Sequence, residues 1–355
     1  MATSKIRVLI VDDSVLMRMM LSRILSEDTG IEVVGTAEDP IVAKKLIAEL
    51  SPDVITLDVE MPHMDGITFL EKLMDEHPMP VVMISTLTTQ GAETTMRALE
   101  LGAVDFFPKP TSNMLKNTLT GASEIVWKVK SAAQAKVKPV LLSTPPVVSS
   151  NFGSLRNRSL IAIGASTGGT EAIRVVLSTV PADCPPILIV QHMPPGFTSS
   201  FAKRLTSLSA IQVIEAQDGD RVVPGQALLA PGGSHMSLVR SGGSLTVRIT
   251  QDPPVNRHRP SVDVLFRSVA RYMGAAAVGV ILTGMGADGA DGLKELRNTG
   301  AHTLAQDEAS CIVYGMPREA FERGAAEKVL PLGDIAQEML AMAVLASKAS
   351  PPKAA

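Results

Sequence analysis

Twice along this chain, short apolar runs alternate with amphipathic stretches, and that alternation leaves few folds open. Over residues 6–127 the apolar runs predict strands at Ile6–Val11, Ile31–Gly35, Val54–Leu57, Val81–Ile84 and Asp105–Phe107. The stretches between them repeat their apolar residues at helical spacing, as in Leu16, Met20 and Ile24. Asp39-Pro40 reads as an N-cap with proline at the first helical position. Strand–helix repeats of this kind predict an α/β (βα)5 flavodoxin-like domain, a parallel sheet covered by helices on both faces. Ligands of such a sheet sit at the carboxyl ends of its strands. The alternation restarts at Ser159, with strands predicted at Leu160–Ile163, Ile187–Gln191, Ile211–Glu215, Ala227–Ala230, Val278–Leu282 and His302–Leu304. Leu238–Arg240 and Leu245–Ile249, joined through Ser241-Gly242-Gly243-Ser244, read as a β-hairpin. The second domain is therefore expected to be doubly wound and mostly parallel α/β, with an antiparallel addition.

No acidic residue occurs from Ile125 to Thr170, and residues 128–156 carry lysines, prolines and repeated serines. This composition predicts a linker over 128–156 between a first domain at 1–127 and a second at 157–347, with a disordered tail at 348–355. A chain of 355 residues, 45% hydrophobic and 19% charged, can build two cores. A net charge of −3 and an aromatic content of 3% argue against a nucleic-acid partner. The cysteines, Cys184 and Cys311, stand alone, so neither a disulfide framework nor a zinc site is expected, and a cytoplasmic location fits. The apolar run Ala275–Leu282 is too short to span a bilayer, so no direct membrane insertion is expected.

In the first domain Asp12 and Asp13 follow the first strand and Asp58 ends the third. Neighbouring strand ends bring these carboxylates together, where a divalent cation relieves their repulsion. An all-oxygen site suits Mg²⁺, which can also bridge to a phosphoryl oxygen. Lys109 adds a positive charge and Ser85 a hydroxyl at other strand ends. The segment resembles a response-regulator receiver domain on Val11-Asp12-Asp13-Ser14, on Asp58-Val59-Glu60-Met61-Pro62-His63-Met64-Asp65-Gly66, and on Pro108-Lys109-Pro110. The resemblance implies that Asp58 is the phosphoacceptor. It implies that Asp12, Asp13, Asp58 and the Glu60 carbonyl surround Mg²⁺, and that Ser85, Phe106 and Lys109 respond to the phosphoryl group. A histidine kinase would be the phosphodonor.

In the second domain Leu160-Ile161-Ala162-Ile163 runs into Gly164-Ala165-Ser166-Thr167-Gly168-Gly169, a strand-to-helix turn with a serine at its apex. Glycines are expected there because neighbouring side chains would crowd the turn and cover the hydroxyl. A serine nucleophile needs a base, and the base needs an orienting acid. His192, delivered by Ile187–Gln191, fits the base, and Asp288, in the glycine-rich loop after Val278–Leu282, fits the acid. His235 and His258 are weaker candidates. A dinucleotide site loses because Gln191-His192 stand where its acid would be. The chain order Ser166, His192, Asp288 departs from that of an α/β-hydrolase. A receiver-linked transcription factor, or a scaffold with an inactive hydrolase domain, are the rival readings.

Residues 159–347 resemble the chemotaxis protein-glutamate methylesterase family, commonly called CheB. The resemblance rests on Ile163–Gly169, Gln191-His192-Met193, Ala230–Met236, Arg259-Pro260-Ser261-Val262-Asp263 and Leu282–Gly289. It implies a hydrolase that demethylates glutamyl methyl esters of chemoreceptors and deamidates selected glutamines. In it Ser166, His192 and Asp288 would act as triad, with Thr167 nearby and the Met285 N–H in the oxyanion hole. It implies phosphorylation-controlled access to Ser166, no cofactor for the ester hydrolysis, and a monomer.

Overall fold

The computed structural model describes residues 4–61, 64–86, 88–109, 118–137, 153–349 and 352. They divide into two compact units, residues 1–142 and 143–355. In the first, strands β1 (Ile6–Val11), β2 (Ile31–Ala37), β3 (Val54–Asp58), β4 (Val81–Ser85) and β5 (Asp105–Pro108) form one parallel sheet in the order β2-β1-β3-β4-β5. Val8, Leu9 and Ile10 of β1 are fully buried, as a central strand covered on both faces must be. Helices Val15–Ser26, Pro40–Leu50, Gly66–Glu76, Thr89–Glu100 and Thr118–Ala132 complete the unit. Asp39 caps its helix by accepting a hydrogen bond from Val42 N at 2.8 Å, the role its position before Pro40 predicts.

The last of these helices corrects the expected linker start at 128. It runs to Ala132, and Lys128 within it is buried, with Nζ 2.6 Å from Asp105 Oδ1. A lysine run reads as solvated, but this one has a buried carboxylate waiting on β5. Residues 138–152 of the expected linker lie outside the described residues, as do Pro62, His63 and Pro110 of the quoted motifs. Lys348 and Ala349, assigned to the tail, continue from helix Leu332–Ala346 as a hydrogen-bonded turn, with Lys348 N donating to Leu345 O and Ala349 N to Ala346 O. Of the remaining tail only Pro352 is described.

The second unit is built on a seven-stranded sheet in the order β14-β13-β12-β6-β7-β9-β8, with every pairing parallel. Its strands are β6 (Leu160–Ala165), β7 (Ile187–Gln191), β8 (Gln212–Glu215), β9 (Gln226–Leu229), β12 (Ala277–Ile281), β13 (His302–Gln306) and β14 (Lys328–Leu330). β14 escapes sequence analysis because it is three residues long and lies partly exposed at the sheet edge. The expected hairpin is present as antiparallel β10 (His235–Ser241) and β11 (Ser244–Thr250). Gly242 and Gly243 both have positive φ, 53° and 83°, as a two-residue hairpin turn matched to strand twist requires. Among the described residues no helix is long and apolar enough to cross a membrane.

Candidate active site and phosphoacceptor pocket

Strand register places the candidate nucleophile and base side by side. Ala165 and Gln191 are paired residues of β6 and β7, so Ser166 and His192 leave adjacent strand ends together. His192 N donates to Ala165 O at 3.1 Å, and Gln191 Nε2 donates to Ser166 O at 2.9 Å. On the other flank Ser166 N donates to Thr283 O at 3.0 Å, tying the serine turn to the loop after β12. Thr283 Oγ1 donates to Thr167 O at 3.0 Å from the same loop. Gly168 takes φ +76° at the start of helix Gly169–Leu177. A Cβ on Gly169 would lie 2.2 Å from Gln191 Oε1, and one on Gly164 2.2 Å from Val262 Cγ1. These glycines are thus required by packing of the turn against its neighbours, the crowding expected of so tight a turn.

His192 Nε2 and Asp288 Oδ2 are 2.8 Å apart, and both side chains are nearly inaccessible. An ionised carboxylate only accepts, so Nε2 carries the proton and Nδ1 is left as the basic nitrogen. Nδ1 is buried and makes no hydrogen bond to any described group. Triad contacts that are open before substrate binds commonly close in the complex.

Asp288 is held by more than its histidine. Oδ1 accepts from Asn256 Nδ2 at 2.8 Å and Ser261 Oγ at 2.7 Å, and Oδ2 accepts from Val262 N at 2.7 Å. The carboxylate thereby sits on the N-terminus of helix Val262–Tyr272, where free N–H groups and the helix dipole favour an anion. Burial opposes ionisation of Asp288, but the hydrogen bonds from His192, Asn256 and Ser261 outweigh it and hold the group below the ordinary carboxylate range. Asp263, also buried, moves the opposite way. Burial and the nearby Asp288 charge raise its pKa against hydrogen bonds from Gly292 N and Asn256.

The structure separates the two weaker histidine candidates. His235 is buried, with Nδ1 accepting from Ser261 N at 3.2 Å and Nε2 facing Pro253 O at 3.1 Å. Both its nitrogens are engaged, so it anchors Ser261. His258 stacks on His192, with ring centroids 3.8 Å apart and planes within 11°. Sequence reasoning missed Asn256 and left Ser261 inside a motif without a role. Neither has a local signal, because their partner Asp288 is 32 and 27 residues away. Met285 lies in the loop after β12, half-buried, and its N–H makes no hydrogen bond to a described group. Thr167 is buried beside Ser166.

In the first unit Asp12, Asp13 and Asp58 bring ligand atoms within 4.8 Å of one another. Lys109 Nζ lies 2.6 Å from Asp58 Oδ2 and 3.9 Å from Asp12 Oδ2. Burial pushes the Asp58 carboxyl up to about 6, helped by the Asp12 charge and opposed by Lys109. Asp12 is raised for the same first reason, burial. Asp12 Oδ2 is buried without a hydrogen-bond partner, so the pocket has an oxygen to offer a cation. Glu60 N donates to Asp58 Oδ1 at 3.3 Å, which fixes the Glu60 peptide beside the acid. Two residues make their side-chain contacts outside this cluster, although Ser85 O accepts from Lys109 N at 2.6 Å. Ser85 Oγ donates to Gly91 O at 3.2 Å, and Phe106 is buried with Lys128 Nζ 5.5 Å from its ring centroid.

An acidic strand-end pocket on one parallel α/β unit and a serine–histidine–aspartate cluster on another define a response regulator with an enzyme-type output domain. The family model for CheB methylesterase matches residues 161–339, and that for the response regulator receiver domain matches residues 8–120. The chain belongs to the CheB methylesterase family. It is 56% identical over 338 residues to a protein-glutamate methylesterase/protein-glutamine glutaminase of Yersinia pestis bv. Antiqua, covering 95% of this chain and 97% of that one. With the Salmonella typhimurium protein of the same description it shares 55% identity over the same shares of both chains. The crystal structure of the Thermotoga maritima CheB methylesterase catalytic domain matches with a TM-score of 0.51 and 37% identity, covering 52% of this chain and 98% of that one.

Proposed function

We propose that the protein is a protein-glutamate methylesterase and protein-glutamine glutaminase whose activity is raised by phosphorylation of Asp58. The observation that carries the catalytic half is the His192 Nε2–Asp288 contact of 2.8 Å, which leaves Nδ1 as the free base beside the Ser166 strand end. In the proposed reaction Ser166 Oγ attacks the ester carbonyl carbon and its proton passes to His192 Nδ1. The Met285 N–H, with Thr167 alongside, supports the negative oxygen of the tetrahedral intermediate. The C–O bond to the methoxy group breaks, the imidazolium returns its proton to it, and methanol leaves. Water then gives a proton to Nδ1 and attacks the acyl-serine; the bond to Ser166 Oγ breaks, the imidazolium returns its proton to that oxygen, and glutamate leaves. With a glutamine side chain the leaving group is ammonia and the remaining steps are the same. Asp288, kept ionised by its donors, orients His192 and stabilises its charged form. No step calls for a cofactor.

In the receiver, Asp12, Asp13, Asp58 and the Glu60 carbonyl are the proposed holders of Mg²⁺, which supplies charge neutralisation for phosphoryl transfer. Asp12 Oδ2, buried without a hydrogen-bond partner, supports that assignment. Asp58 takes the phosphoryl group from the histidine kinase of the pathway, and Lys109 pairs with it. Ser85 turns from Gly91 O toward the phosphoryl oxygens, and Phe106 moves with it. The substrates are methyl-accepting chemoreceptors, reached from the cytoplasm by a monomer. A fluorophosphonate probe tests the assignment of the nucleophile. It should label the full chain once, at Ser166, and fail on Ser166→Ala; labelling that survives in that variant would place the nucleophile elsewhere.

A further inference from the structure

The segment Val255–His258 is a two-residue reverse turn. Val255 N donates to His258 O at 3.1 Å and His258 N to Val255 O at 2.9 Å. Its central residues Asn256 and Arg257 have φ of 52° and 69°. That is the type I′ geometry, which usually recruits glycine because a side chain disfavours the left-handed region. Here neither position is glycine, and both central residues are exposed, so no buried core imposes the conformation. Unfavourable backbone of this kind persists where surrounding contacts over-determine it. The contacts are with the triad. Asn256 Nδ2 donates to Asp288 Oδ1 and to Asp263 Oδ2, each at 2.8 Å. His258, two residues on, lays its ring on His192.

We infer that the Val255–His258 turn is a clamp that positions the triad, with Asn256 setting the Asp288 carboxylate and His258 setting the plane of the His192 ring. The need for both follows from geometry. With the imidazole tethered at Cγ, one hydrogen bond at Nε2 still leaves the ring free to tip about the line joining those two atoms. Tipping would carry Nδ1 away from Ser166 Oγ. A second ring 3.8 Å away and nearly parallel removes that freedom. Its aromatic face also favours the imidazolium that His192 becomes during the reaction. The Asn256 amide links Asp288 to Asp263, a second buried carboxylate, and so stops the two acids from turning toward each other's donors. Neither Asn256 nor His258 exchanges a proton with substrate; they are positioning residues.

This inference rests on the proposed triad, and its test is arranged to fail separately from it. The full-length chain, Asn256→Gly, His258→Ala and His258→Phe are compared by the rate of fluorophosphonate labelling at Ser166 and by kcat and KM for methanol release. Glycine accepts the turn's backbone but lacks the amide, and phenylalanine keeps a stacking face without a titratable nitrogen. Asn256→Gly and His258→Ala should slow labelling and lower kcat on the order of 10²-fold, the usual penalty of a small misplacement, with KM unchanged. His258→Phe should recover most of the loss. The inference is overturned if His258→Phe is as slow as His258→Ala, if Asn256→Gly labels as fast as the parent, or if the variants raise KM and leave kcat alone. The label requires no receptor. A parent chain that labels at Ser166 but releases no methanol would therefore refute the methylesterase reading, while the labelling rates still decide the role of the turn.

Discussion

Replacing Asp288 by asparagine changes no volume, so its consequences can be worked from the donors around it. Oδ2 faces His192 Nε2 and Val262 N, and Oδ1 faces Asn256 Nδ2 and Ser261 Oγ. An amide nitrogen in the place of Oδ2 would meet the Val262 N–H, which cannot turn round, and His192 Nε2, which can accept only by giving its proton to Nδ1. In the place of Oδ1 it meets Ser261, whose hydroxyl can rotate to accept, and the Asn256 amide and Asp263 N–H, at 2.8 and 3.4 Å, which cannot. Either orientation strands at least one buried donor, at about 1–3 kcal/mol of stability each. Catalysis should suffer far more, because the charge that supports imidazolium is gone whichever way the amide lies. A loss in kcat of about 10⁴-fold is expected, by analogy with serine proteases whose orienting aspartate is made asparagine. That corresponds to about 5 kcal/mol of transition-state stabilisation. Urea unfolding measures the first number and methanol release from a methylated receptor the second. A folded Asp288→Asn chain with kcat within about tenfold of the parent would reduce Asp288 to a cap on helix Val262–Tyr272 and refute the reasoning.

Three further outcomes follow from the same contacts. Asp58 holds its proton more tightly folded, at about 6 against 3.8, so its ionisation destabilises the fold as pH rises from about 4 to about 6. With divalent cations chelated, Asp58→Asn should therefore gain up to about 3 kcal/mol on the parent between pH 4 and pH 7; parallel urea-midpoint profiles would contradict this. Lys128→Ala leaves Asp105 buried without its 2.6 Å partner and should cost about 3–5 kcal/mol, whereas a solvated linker lysine would cost nothing measurable. Gly168→Ala forces a Cβ to within 2.6 Å of Ile312 at φ +76°, and should lower the thermal midpoint and slow labelling of Ser166 together; a neutral result would deny that the turn is rigid.

Most of the frame was legible in the sequence because it is written in local signals. Apolar runs marked all five receiver strands and six of the seven strands in the second sheet, and Ser241–Ser244 marked the hairpin. Since strand ends converge in a parallel sheet, the acids at 12, 13 and 58, and Ser166 with His192, could be grouped before any coordinates were known. What escaped depends on pairing across distance. Lys128 looked like the start of a linker because its partner lies 23 residues earlier on another element. β14 has too few residues to show a period.

The surroundings of Asp288 show the limit most clearly. Its aspartate could be nominated from a glycine-rich loop after a strand, but its donors come from Asn256, Ser261 and Val262, all on a segment 26–32 residues earlier. The turn at Val255–His258 carries neither glycine nor proline, the strongest turn signals. An asparagine that tolerates the left-handed region was the one local hint. His235 and His258 looked equivalent in the sequence, and only the hydrogen bonds at both nitrogens of one and the stacked ring of the other tell them apart.

The central claim joins the two units in one function, a methylesterase switched by an aspartyl phosphate. Its most direct test is methanol release from a methylated chemoreceptor by the full-length chain, before and after treatment with a small phosphodonor and Mg²⁺. Ser166→Ala and Asp58→Asn serve as controls. The account predicts a basal rate that rises about 5–150-fold on phosphorylation, the range of a typical coupling between sites. That rise should be absent from Asp58→Asn, and release by Ser166→Ala should be abolished. Methanol release that ignores the phosphodonor, or that persists without the Ser166 hydroxyl, would contradict it.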